Sequence, residues 1–80
     1  MATKAYILVE TEVGKISAVA EELRAISGVQ GVDTTTGPYD NIAVVSAPDL
    51  NAVGDVVNHD IHGISGIVRT ITCLVVGATR

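Results

Sequence analysis

Hydrophobic positions along the chain follow two alternating rhythms. Residues 5–11 (AYILVET) form a continuous β-rich run. From Lys15 the apolar residues Ile16, Val19, Ala20, Leu23 and Ile26 recur at i, i+3, i+4, i+7 and i+10, the spacing of one buried stripe on a helix. Gly28 stands where a left-handed residue would end that helix, and residues 29–36 read as a strand. Residues 41–47 (NIAVVSA) make a third apolar run of strand length. Ser46-Ala47-Pro48-Asp49 then resembles a capping box ahead of a second helical stripe, Leu50, Val53, Val57, Ile61 and Ile64, with Gly63 as its stop. The last strand spans residues 67–76 (IVRTITCLVV), leaving residues 77–80 as a tail.

The resulting order is βαββαβ. Ile26-Ser27-Gly28-Val29 recurs as Ile64-Ser65-Gly66-Ile67, each time between a helical stripe and a strand, which implies two βαβ halves. Interleaving two right-handed crossovers gives an α+β, ferredoxin-like fold, a four-stranded antiparallel sheet with both helices on one face. Strand alternation then exposes a second requirement. In the last strand Ile67, Ile71, Cys73 and Val75 face one way, and Val68, Leu74, Val76, Thr70 and Thr72 the other. The first strand divides into Ala5, Ile7 and Val9 against Tyr6 and Leu8, and the third into Ile42 and Val44 against Ala43 and Val45. Both faces are largely apolar and two helices cover only one, so a second subunit is expected on the other: a homodimer at least, packed sheet against sheet as a dimeric α+β barrel.

Composition supports the same picture. Eighty residues, read as one domain over 1–80, support a single small core worth roughly 3–5 kcal/mol, and 48% of them are hydrophobic against 18% charged. One cysteine excludes an internal disulfide framework, and no Cys/His cluster has zinc spacing, which leaves oligomerisation as the stabiliser. The net charge is −4 and the bases Lys4, Lys15, Arg24, Arg69 and Arg80 are scattered, which disfavours direct nucleic-acid binding. No apolar run reaches the roughly 18 residues of a membrane span, and the N-terminus does not resemble a signal peptide, so a cytoplasmic protein is expected.

Few residues invite chemistry. Asp55, His59, Asp60 and His62 gather at the end of the second helix, with His59 one turn from Asp55; a metal or acid–base role competes there with plain solvation near a negative helix end. Glu21 and Glu22 read as a wet helix face. Cys73, mid-strand with no basic sequence neighbour, reads as a buried thiol in the core. The glycines have no dinucleotide or P-loop spacing, so no cofactor is implied. Gly54 interrupts the second helix at a cost of about 1 kcal/mol relative to Ala, reflecting either close packing or a weak helix.

The segment TTTGPYDN, residues 34–41, stands apart. Gly37-Pro38-Tyr39-Asp40 suits a tight turn, yet a turn needs neither an aromatic nor the acid after it, and Tyr39 is one of only two aromatic residues. Thr70 and Thr72 put two hydroxyls on an otherwise apolar strand face. Two readings are open: a hairpin with a β-favouring threonine pair, or a pocket in which hydroxyls and turn amides take a carboxylate while Asp40 takes an ammonium.

Thr36-Gly37-Pro38-Tyr39-Asp40, Ser65-Gly66-Ile67-Val68 and Thr70-Ile71-Thr72-Cys73-Leu74-Val75, in that order across residues 5–76, resemble the effector-binding (RAM) domain of the Lrp/AsnC regulator family. Family regulators carry an N-terminal winged helix-turn-helix, whereas this chain begins at the first strand and resembles the stand-alone form. The resemblance implies a dimer with facing sheets, assembly into larger rings (tetramer to octamer), and amino-acid effectors bound where dimers meet. It assigns Gly37, Tyr39, Asp40, Thr70 and Thr72 as ligand-binding residues, with Asn41 adding an amide beside them. The function this implies is a non-enzymatic amino-acid sensor in the regulation of amino-acid metabolism and transcription, acting by self-assembly or through full-length Lrp/AsnC-type regulators. Two alternatives stand beside it: a small α+β-barrel enzyme of monooxygenase or isomerase type, favoured by a pocket lined by His59 or His62 rather than Thr70, and a purely structural assembly module.

Overall fold

The computed structural model describes residues 2–77. Its elements are β1 (Thr3–Thr11), α1 (Ile16–Arg24), β2 (Val29–Thr34), β3 (Asn41–Ala47), α2 (Leu50–Asp55) and β4 (Ile67–Leu74), with a π-helical segment, Val56–Ile61, running on from α2. The sheet order is β2-β3-β1-β4 and every neighbouring pair is antiparallel, so the fold is the ferredoxin-like βαββαβ arrangement. Of the tail expected over residues 77–80, positions 78–80 lie outside the described residues.

Alternation builds the core. Ala5, Ile7 and Val9 of β1 and Ala43, Val45 and Ala47 of β3 are buried beneath Val19 and Leu23 of α1, Val53, Val57 and Ile61 of the second helical run, and Ile64 in the turn after it. The second stripe advances by four at Val53, Val57 and Ile61. Four residues overshoot an α-helical turn by about 40°, but they fall short of a wider i→i+5 turn. The π-helical segment therefore turns Ile61 back onto the face that Val53 occupies, and all three stay buried. Leu50, the first residue of α2, is exposed.

Several local signals act differently from their sequence reading. The second helix is capped by Asp49, an extended residue whose side chain accepts the Ala52 N–H at 2.8 Å; Ser46 lies in β3 and donates its own N–H to Gly28 O at 2.9 Å. Gly28 does not terminate α1, whereas Gly63 directly follows His62, the C-cap of the π-helical segment, without taking a left-handed φ. The C-cap of α1 is Ala25, in right-handed geometry. Gly28 (φ +97°) and Gly66 (φ +99°) are left-handed at equivalent places in the two halves and turn the chain into β2 and β4. Their carbonyls make equivalent bonds, to Ser46 N at 2.9 Å and to Glu12 N at 2.8 Å, so the repeat in sequence is a repeat in hydrogen bonding. A methyl group placed on Gly54 would meet open space, with no heavy atom within 4 Å; close packing is not the reason for this glycine.

The outer face of the sheet is apolar in two rows. Val44, Tyr6 and Cys73 lie side by side across β3, β1 and β4, and so do Ile42, Leu8 and Ile71. Cys73 is exposed there rather than buried in the core, because its β1 partner is the outward-facing Tyr6. Ile67 leaves this face. A bulge shifts the register so that Glu10 pairs with Arg69 but Thr11 with Ile67, and the extra residue turns Ile67 inward against the core while Val68 is exposed.

Candidate functional site

The loop between β2 and β3 is closed by Thr35. Its N–H donates to Asp40 O at 2.9 Å and its hydroxyl to Tyr39 O at 2.8 Å, which leaves Thr36, Gly37 and Pro38 at the tip. Gly37 has φ +128°, a conformation that L side chains rarely adopt, so the Gly-Pro step needs its glycine. Tyr39 is half-buried.

Asp40 is tied to β1 through both its backbone and its side chain. Its N–H donates to Val9 O at 2.9 Å, and its Oδ2 accepts from Thr11 N at 2.8 Å and from Thr11 Oγ1 at 3.1 Å. The residue is half-buried, and its Oδ1 has no hydrogen-bond partner among the described residues. The acid is thus oriented by one oxygen and presents the other. Asn41 faces the opposite way. It is fully buried on the helix side, where its Nδ2 donates to Ile16 O at 3.2 Å and its Oδ1 accepts from Thr34 Oγ1 at 2.8 Å. It anchors the start of α1 to β2 and β3 rather than extending the loop surface.

Thr70 and Thr72 pair with Val9 and Ile7 and so point to the helix side of the sheet. The helices pack over β2, β3 and β1, and the edge strand β4 remains open: Thr72 and Leu74 are exposed although they share a face with buried Ile7 and Ala5. At this edge His62, just past the π-helical segment, places Nε2 2.9 Å from Thr70 Oγ1. A shallow concavity of about 410 Å³ is lined by His62, Ile67, Val68, Arg69 and Thr70. Both the histidine and the threonine line it, so the lining alone does not separate the enzyme and sensor readings. Arg69 is paired with Glu10 at 3.0 Å.

Within one chain the five assigned residues fall into two groups. Asp40 binds β1 from the β3 side and Thr70 pairs with it from the β4 side, about two strand spacings apart, roughly 10 Å. The ammonium and carboxylate of an α-amino acid share one carbon and do not reach across that gap.

The family model of the Lrp/AsnC ligand binding domain matches residues 4–79. The chain belongs to this family. The TTHA0845 structure from Thermus thermophilus is 31% identical, with a TM-score of 0.92 and 98% of each chain covered. AsnC of E. coli is 21% identical at a TM-score of 0.89, over 95% of this chain and 52% of that one. A transcriptional regulator from Neisseria meningitidis, NMB0573, in complex with L-Met, is 19% identical at a TM-score of 0.86, over 98% of this chain and 52% of its own. No functionally curated protein matches the chain significantly.

Three residues of this Lrp/AsnC domain that shape the site carry no local signal of the partner they meet. Thr11 reads as the end of a strand, and its bond to Asp40 joins residues 29 apart in sequence. Thr35 looks interchangeable with its threonine neighbours, yet it alone closes the loop from both its N–H and its hydroxyl. His62 reads as part of an acidic–histidine cluster, but its partner is Thr70. Asp55, His59 and Asp60 are exposed, and no group of three or more His, Cys, Asp or Glu among the described residues is placed to hold a metal ion. Glu21 and Glu22 are exposed on α1. No helix among the described residues is long and apolar enough to cross a membrane.

Proposed function

We propose that this domain, read as one unit over residues 1–80, is a non-enzymatic, cytoplasmic amino-acid sensor that works as an oligomer, through its own assembly or by association with Lrp/AsnC-type regulators. The observation that carries the proposal is the half-committed carboxylate of Asp40, held in place by Thr11 through Oδ2 and unpartnered at Oδ1 among the described residues. An acid fixed in this way suits a ligand ammonium, since its orienting cost is met within the fold. Family membership supports an effector-binding role, and the L-Met complex of the Neisseria regulator, which shares the fold, agrees with an amino-acid ligand.

The separation of Asp40 from Thr70 and Thr72 within one chain favours a site that straddles two subunits, with Asp40, Tyr39 and the Gly37 turn from one and the threonine hydroxyls of β4 from another. The apolar outer face, Tyr6, Leu8, Ile42, Val44 and Ile71, would seat a second copy and form the homodimer, and dimers would associate further around the ligand sites. Calorimetric titration of the oligomer with the common L-amino acids tests the reading. Saturable heat with at least one of them, lost in Asp40→Asn with the fold intact, is the expected result; absence of heat with all of them would overturn it.

A further inference from the structure

The groove beside β4 has a feature that the assigned residues do not explain. The Thr70 hydroxyl is not free: His62 Nε2 lies 2.9 Å from it. A hydroxyl can donate once and accept twice, so by itself it does not distinguish a ligand carboxylate from a ligand ammonium. A neighbour that donates to it takes up one of the two lone pairs and leaves the O–H proton directed at an acceptor, which favours the carboxylate.

The backbone places His62 for this contact. The π-helical turn sends the His62 N–H to Val57 O, five residues back, at 3.0 Å, and widened turns of this kind recur at functional sites. The next residue, Gly63, brings a Cβ position to 3.1 Å from His59 O, which leaves little room for a side chain there. The groove that His62 and Thr70 share, about 410 Å³, is lined otherwise by Ile67, Val68 and Arg69, with no acidic residue, and its size suits a small molecule.

We infer that His62 is a positioning residue of the ligand site: its Nε2–H donates to Thr70 Oγ1 and commits the Thr70 hydroxyl proton to a carboxylate seated in the groove beside β4. The carboxylate end of an α-amino acid then lies against Thr70 with Thr72 next to it, and Ile67 and Val68 meet its apolar part. This inference rests on the amino-acid reading above and adds to it the identity of the residue that sets the polarity of the threonine end.

The test has two arms on the full chain. Nitrogen-15 NMR of ligand-free protein, at a pH where the imidazole is neutral, reports which ring nitrogen of His62 carries the proton: Nε2–H is expected, and Nδ1–H would overturn the inference whatever binds. In the second arm the Thr70 and His62 resonances are followed during titration with L-amino acids and, separately, with propionate. Saturable shifts are expected in the wild type, with an affinity about tenfold weaker in His62→Leu and in Thr70→Val, no further loss in the double variant, and near-complete rescue in His62→Gln, whose amide donates from a similar position. His59→Gln serves as the matched control and should bind as wild type. Unchanged affinity in His62→Leu, or equal losses in His62→Gln and His62→Leu at equal melting temperatures, would overturn the inference. Response to propionate without binding of any amino acid would uphold the His62–Thr70 assignment and overturn the amino-acid reading. Response to neither would overturn both.

Discussion

Asp40 holds Thr11 in this structure and, in the function proposed above, receives the ligand ammonium; two substitutions separate the two roles. Asp40→Ala removes the acceptor of both the Thr11 N–H and the Thr11 hydroxyl. Hydrogen bonds to a charged group are worth roughly 1.5–3 kcal/mol when buried. The site is half-buried and water can replace part of the loss, so a destabilisation of about 1–2 kcal/mol follows. In a domain of this size that is a fall in melting temperature of about 5–15 °C. Asp40→Asn keeps an oxygen for the Thr11 N–H and loses only the charge assistance, about 0.5–1 kcal/mol. Thermal unfolding by circular dichroism, at one protein concentration because an oligomer melts in a concentration-dependent way, should rank the three proteins wild type, Asn, Ala. Amino-acid titration should rank them differently, with binding absent from both variants. If Asp40→Asn is as unstable as Asp40→Ala, the bond to Thr11 depends on charge rather than on the acceptor oxygen, and the geometry has been misjudged. If Asp40→Asn binds as wild type, the carboxylate is no ammonium receptor and its role is structural.

Four further outcomes follow from particular positions. Gly66→Ala combines a positive φ with a Cβ 3.0 Å from Lys15 Cβ and 3.3 Å from Val19 Cγ2, and should cost about 2–4 kcal/mol in denaturant unfolding. Gly54→Ala meets open space in a right-handed helix and should raise stability by about 0.5–1 kcal/mol; a loss would show that something outside the chain packs there. Asn41→Asp places a carboxylate in a fully buried position against the Ile16 carbonyl and should destabilise by about 3 kcal/mol or more, whereas an unchanged midpoint would mean that the site opens to water. Tyr6→Glu with Ile71→Glu puts like charges into the two apolar rows of the outer face; sedimentation should report a dimer or larger for the wild type and monomer for the variant, and a monomeric wild type at micromolar concentration would defeat the sheet-to-sheet assembly.

Much of the fold is legible in the sequence because its signals are local. The 3.6-residue stripe of α1 and the apolar run of β3 depend on neighbours along the chain, and β3 runs over Asn41–Ala47 as its hydrophobic pattern indicates. The repeated Ile-Ser-Gly step likewise marks two turns in which glycine takes the required positive φ. The candidate site is legible in part: Asp40 stands out because a turn has no use for an aromatic–acid pair, and that oddity is a property of residues 37–40 alone.

Periodicity and composition over a few consecutive positions are enough to set the order of elements, the two-sided apolar sheet and the list of chemically unusual residues. Which of those residues meet is settled by the packed fold. Thr11 reaches Asp40, and Thr34 with Ile16 satisfies Asn41, through hydrogen bonds set by the register of β1, β2 and β3. The bulge opposite Thr11 turns Ile67 inward, the edge position of β4 leaves Thr72 open, pairing with Tyr6 puts Cys73 on the exposed outer face, and the π-helical turn brings His62 to Thr70. Periodicity tells which face a side chain takes, but its contacts depend on how strands register against one another, and one extra residue in a strand or a helical turn is enough to change them.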